Sequence, residues 1–210
     1  MALQRPVILL STHIQNTYFP PGHVELVDEE RLVSDRLLAM GATVINCGSS
    51  EVHTKVTPAT EFCAASFRLG EGFMHDPQAD SLTCLNTYTS PLQNPHLLSK
   101  LSTYENPLLV ITGAFISKCA GATVYLGAKL GYDCYLPLDL VTDGTFDCPH
   151  KFGSAKFLDH NMAVALKIAE NSNPHKIMLG SSSHLFGVLG APVTPTRKKP
   201  KNRARPAPKT

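Results

Sequence analysis

Six short runs rich in Val, Ile and Leu set the strongest constraint on how this chain can fold. They are "PVILLST" (6–12), "ATVINCG" (42–48), "DSLTCLN" (80–86), "PLLVITG" (107–113), "YDCYLPLDL" (132–140) and "HKIMLGS" (175–181). Most are apolar at consecutive positions rather than at alternate ones, so a strand built from them needs cover on both faces. Amphipathic stretches lie between them. "DEERLVSDRLLAMG" (28–41) has acids in its first turn, apolar residues at Leu32, Val33, Leu37 and Leu38, and Gly41 as a stop, which reads as a helix. Further helices are predicted near 58–68, over 94–103 with Pro95 in the first turn, over 117–131 closed by Gly131, over 154–171 capped by Ser154, and over 182–190. Strands alternating with helices, joined by right-handed crossovers, give a three-layer α/β/α sandwich with a mainly parallel, doubly wound six-stranded sheet.

A chain of 210 residues, 43% hydrophobic and 17% charged, suffices for one such domain with a sizeable core. We expect residues 1–195 to form it. No apolar stretch approaches the roughly 20 residues of a membrane span, and the opening "MALQRPVILLST" reads as a first strand, not a signal peptide. Six scattered cysteines without a CxxC pair point to reduced thiols and a cytoplasmic setting. The last fifteen residues, "TRKKPKNRARPAPKT" (196–210), hold seven Lys or Arg and no acid; without them, 12 basic residues face 17 acidic ones. Such a Pro-rich basic segment has no apolar face to bury and is expected to be a disordered tail. It suits an acidic partner or nucleic acid, or serves only as a solvated extension.

Open parallel sheets bind ligands beyond the carboxyl ends of their strands. After the run at 107–113 comes Cys119, where a helix begins. A helix N-terminus and the neighbouring Lys118 both favour the thiolate, so a lowered pKa is expected there, and backbone N–H groups at the same turn can hold an oxyanion. The alternative is a buried structural cysteine in a small-residue packing surface, "CAGAT".

Four stretches carry a resemblance that covers nearly all of residues 6–190. "ILLSTHIQNTYF" is similar to the opening strand of the isochorismatase-like cysteine hydrolases, which ends in Asp-x-Gln-Asn-x-Phe. "LLVITGAFISKCAGATVYLGAKLGYDCYLPLDL" resembles their central segment: strand, Thr-Gly, nucleophilic Cys, helix, Gly-Tyr, strand and Asp. "LDHNMAVALKIAE" and "KIMLGSSSHLFGVL" resemble the closing helices and last strand. This family includes nicotinamidases, N-carbamoyl amidohydrolases and isochorismatases. The resemblance implies the sandwich fold, a homo-oligomer, a small-molecule substrate and a triad of Asp, Lys and Cys. Cys119 matches the nucleophile. The Asp falls on His13. The Lys falls on Asn86 with Ser90 and Leu97 as anchors, or on Leu85 after a one-residue slip. One of three catalytic types is therefore kept. Imidazole, with an ordinary pKa near about 6.5, is a sensible base for a thiol, and Cys119, His13 and Asn86 make a Cys–His–Asn set like that of papain-like proteases. The resemblance also implies a cis peptide at Ala114–Phe115, with Ala114, Phe115, Gln15 and Lys118 forming the oxyanion hole and substrate contacts.

Nicotinamidases of this kind bind a metal after strand two, where this chain has Glu51, His53 and, downstream, His75. Carboxylate and imidazole suit Zn or Mn, but nine histidines make chance pairs expected, so no cofactor is assigned. No GxGxxG, GxxxxGK[ST] or GxSxG motif occurs. Two readings follow. One is a cysteine hydrolase acting on a small amide, carbamoyl or vinyl-ether substrate through Cys119. The other is a catalytically inactive protein of the same fold, a binding or scaffold subunit that uses its basic tail.

Overall fold

The computed structural model describes residues 3–13, 24–49, 62–64, 82–86, 89–143 and 150–190, with 62–64 and 82–86 described by backbone alone. All six predicted strands are present: β1 (Val7–Thr12), β2 (Thr43–Ser49), β4 (Leu82–Asn86), β5 (Leu108–Ala114), β6 (Asp133–Pro137) and β8 (Ile177–Gly180). They lie side by side in the order β4-β2-β1-β5-β6-β8, all parallel. Two short strands complete an eight-stranded sheet. One is β3 (Phe62–Ala64), antiparallel to β4 at the edge; the other is β7 (Val141–Thr142), beside the end of β5.

β3 corrects the helix expected near 58–68. Its three residues take strand form because they extend the sheet edge, and pairing there supersedes a weak local preference. β6 also ends earlier than the predicted 140. Asn161 Nδ2 donates to the carbonyls of Leu138 and Val141, at 2.8 and 2.9 Å, and holds a bend between β6 and β7.

Among the described residues five α-helices cover the sheet: α1 (Val24–Ala39), α2 (Pro95–Leu101), α3 (Cys119–Lys129), α4 (Ala155–Glu170) and α5 (Ser182–Val188). Successive β1 residues point to opposite layers. Ile8 and Leu10 pack with Leu97 of α2, Val124 of α3 and Ala165 of α4; Val7 and Leu9 pack with Val33 and Leu37 of α1 and Leu185 and Phe186 of α5. Each such Leu, Ile or Val contributes about 1.5–3 kcal/mol by leaving water, which is why consecutive apolar residues were needed. Local signals set the helix ends. Ser154 Oγ accepts from the Phe157 N–H, Ser181 Oγ caps α5 through the His184 N–H, and Pro95 opens α2. Among the described residues, no helix is long and apolar enough to cross a membrane.

Candidate active site

The register brings the ends of β1 and β5 together: Thr12 lies opposite Gly113. Gly113 has φ +101°, and a Cβ there would lie 1.9 Å from the Thr12 carbonyl oxygen. Only glycine allows this approach. His13 follows Thr12 directly, just past the end of β1. His13 has φ +53°, donates its N–H to the Cys47 carbonyl at 2.7 Å and is 3% exposed. Burial pushes its imidazole down to about 4, so at neutral pH it is uncharged and a weaker base than ordinary imidazole.

The Ala114–Phe115 peptide is cis, as the resemblance implies. Ala114 is buried with Leu26 and Val27 of α1 and Phe157 of α4. The chain then turns through Lys118, the residue before α3, whose ammonium lies 5.8 Å from the Phe115 ring centroid. The Phe115 carbonyl accepts from the N–H groups of Lys118 and Ala120, both at 3.0 Å. Cys119, half-buried, opens α3. The backbone N–H groups of Phe115 and Cys119 itself both act on its sulfur. A second constraint on α3 is that Gly121 leaves room for the Ile116 carbonyl, which a Cβ would approach to 1.9 Å.

The expected lowering of the Cys119 pKa is overturned. Burial is the largest influence and raises it; Lys118 and the two N–H groups act the other way and do not compensate. Removing a thiolate from water costs more here than one ammonium and two peptide dipoles return.

The turn carrying Cys119 is held from three directions. The Ile116 N–H donates to the Thr142 carbonyl at 3.0 Å. The Ser117 N–H donates to Asp143 Oδ1 at 2.7 Å, and the other carboxylate oxygen meets His160 Nε2 at 2.7 Å. On the helix side, Thr123 Oγ1 donates to the Cys119 carbonyl at 2.7 Å and pairs with Ser90 Oγ at 3.1 Å. Because Thr123 spends its proton on Cys119, Ser90 is the donor between them. Ser90 also accepts from the Leu92 N–H, so the segment just after β4 is tied to the first turn of α3.

Asn86 ends β4, opposite Ser49 of β2. β2 separates β4 from β1, so its backbone stands about 10 Å from the end of β1 by strand spacing. The structure thus puts His13 directly after β1 and Ala114, Phe115, Lys118 and Cys119 along the segment from the end of β5 into α3, with Asn86 two strands from β1 at the same end of the sheet. Gln15 lies outside the described residues, as do Glu51, His53 and His75. Among the described residues, no group of three or more His, Cys, Asp or Glu gathers as metal ligands.

Two further polar groups were not singled out from sequence. His160 lies in the "LDHNMAVALKIAE" stretch, to which the sequence assigned a resemblance but no role for this side chain. Glu30 of α1 is buried and accepts from Ser34 Oγ and from Thr112 Oγ1 of β5, each at 3.1 Å. Its signal was available: Glu30 falls on the apolar stripe formed by Leu26, Val27, Val33 and Leu37, where a carboxylate needs partners.

The chain has the fold of the isochorismatase-family hydrolases. An isochorismatase family protein from Burkholderia thailandensis superposes with a TM-score of 0.61 at 14% identity, covering 90% of this chain and 98% of that one. The pyrazinamidase of Pyrococcus horikoshii, solved in complex with zinc, gives 0.56 at 15% identity over 83% and 98%. The N-carbamoylsarcosine amidase of Thermoplasma acidophilum gives 0.54 at 13% identity over 84% and 96%. No protein-family model matches the sequence, and no curated protein does.

Proposed function

We propose that this chain is a cysteine hydrolase of the isochorismatase type, acting on a small amide, carbamoyl or vinyl-ether substrate through Cys119. The observation that carries the reading is the Cys119 turn: a half-buried thiol opening a helix just past the end of β5, in a fold shared with amidases. For an amide, Sγ attacks the carbonyl carbon while its proton passes to the neutral His13 imidazole. The C–N bond then breaks as His13 protonates the leaving amine, and water cleaves the resulting thioester. Asn86, at the end of β4, is kept as the third member of the proposed Cys–His–Asn set. Because both groups are neutral at rest, proton transfer accompanies attack rather than preceding it. Ala114, Phe115, Gln15 and Lys118 remain the positions that receive the developing oxyanion and the substrate.

Hydrolysis of a panel of small primary amides, N-carbamoyl amino acids and vinyl ethers tests this. Turnover by the wild type and none by Cys119→Ala is the expected result; no turnover of any panel member contradicts it. The second reading, an inactive scaffold whose basic tail (196–210) meets an acidic partner or nucleic acid, draws support from the raised thiol pKa and the weakly basic imidazole. We keep a homo-oligomer and a cytoplasmic setting as parts of the proposal; analytical ultracentrifugation tests the first.

A further inference from the structure

We infer that Asp143 is a positioning residue for the Cys119 thiol, with His160 as its support. Asp143 follows β7 and is 2% exposed. One carboxylate oxygen accepts from the Ser117 N–H and the other meets His160 Nε2 on α4, each at 2.7 Å. Ser117 lies two residues before Cys119 and two after Phe115, inside the turn that leads into α3. The neighbouring peptide is fixed by the same short strand, through the Ile116 N–H and Thr142 carbonyl. The next residue of α4, Asn161, holds the bend before β7 from its other end through Leu138 and Val141. A buried carboxylate bound on both oxygens is a stiff support. It connects α4 to the geometry of the thiol without touching sulfur.

Asp143's role presupposes Cys119 as nucleophile. Its removal frees the Ser117 N–H and lets the turn that carries the Cys119 thiol relax.

The test is the rate at which iodoacetamide alkylates Cys119 in the full-length protein at pH 7, followed by peptide mass spectrometry. Cys47 and Cys134, both buried, report opening of the fold in the same tube. We expect Asp143→Ala to lower the Cys119 rate about tenfold, the scale of losing one charge-assisted hydrogen bond. Asp143→Asn, which keeps an acceptor for Ser117, should recover most of that rate, and His160→Ala, altering a side chain 25% exposed, should lower it about threefold. Cys47 and Cys134 stay unlabelled throughout. A Cys119 rate in Asp143→Ala within twofold of wild type overturns the inference. So does a change that appears only together with labelling of Cys47 and Cys134, because then Asp143 serves the fold alone. Failure of the hydrolase reading has a different signature: the wild-type Cys119 rate is then insensitive to His13→Ala, whatever Asp143 does.

Discussion

β1 and β5 end side by side at the Thr12–Gly113 seam, and the segments that follow them, His13 and the turn before α3, are described by different contacts. The Cys119 turn is fixed by directed hydrogen bonds from β7, Asp143 and the Ser90–Thr123 pair. At His13 the described features are a left-handed backbone, an N–H bond to the Cys47 carbonyl and deep burial. The same withdrawal from water moves the two groups apart: it lowers the imidazole to about 4 and raises the thiol. Desolvation favours whichever form is neutral. A seam built this way stores no ion pair at rest. Its chemistry depends on proton transfer coupled to attack, unlike a site that keeps a thiolate poised beside a cation.

The most severe break is on the thiol side. Cys119→Ala should reduce hydrolysis of any substrate found in the panel by about a thousandfold or more while leaving the melting temperature within a few degrees. Gly113→Ala strikes the seam itself. With Thr12 O at 1.9 Å from the new methyl and φ at +101°, the fold should lose about 3 kcal/mol or more, read as the urea midpoint. A pH series sharpens the imidazole side. His13 binds its proton in the unfolded chain below about 6.5 but in the folded one only near 4. The unfolded state therefore holds more protons in that window. Stability should fall as pH drops from 6.5 to 4, by about 3 kcal/mol at most, and His13→Ala should lack that component of the slope. The smallest effect belongs far from the seam. Burial alone would raise the Asp133 pKa, but hydrogen bonds from Lys176 and Arg5 outweigh it and hold the carboxyl below its usual range. That pair stabilises above the ordinary carboxylate pKa and is lost as pH falls through the lowered one. Lys176→Ala should cost under about 1 kcal/mol, less in high salt.

Much of this arrangement was legible from residue order. Consecutive apolar runs required a doubly covered parallel sheet, and Gly41, Gly131, Ser154 and Pro95 marked helix ends where the chain does turn. The position of Cys119 followed from Thr-Gly and the small-residue helix. What escaped the sequence depends on distant partners. β3 forms only because β4 offers an edge. The direction of the Cys119 pKa depends on how deeply the turn sits, which no local pattern of Lys118 and a helix start can express. His160 gains its meaning from Asp143, seventeen residues away and adjacent only in the fold.

The most direct test of the central claim is the rate of Cys119 alkylation from pH 5 to 8 in wild type and His13→Ala. If His13 takes the thiol proton during attack, the wild-type rate is nearly flat across that range, because the imidazole is already neutral above about 4, and His13→Ala is at least about tenfold slower at pH 6. If instead both proteins show the same rate, rising about tenfold per pH unit as a lone thiol of raised pKa does, His13 does no proton transfer and Cys119 is a structural residue of a scaffold.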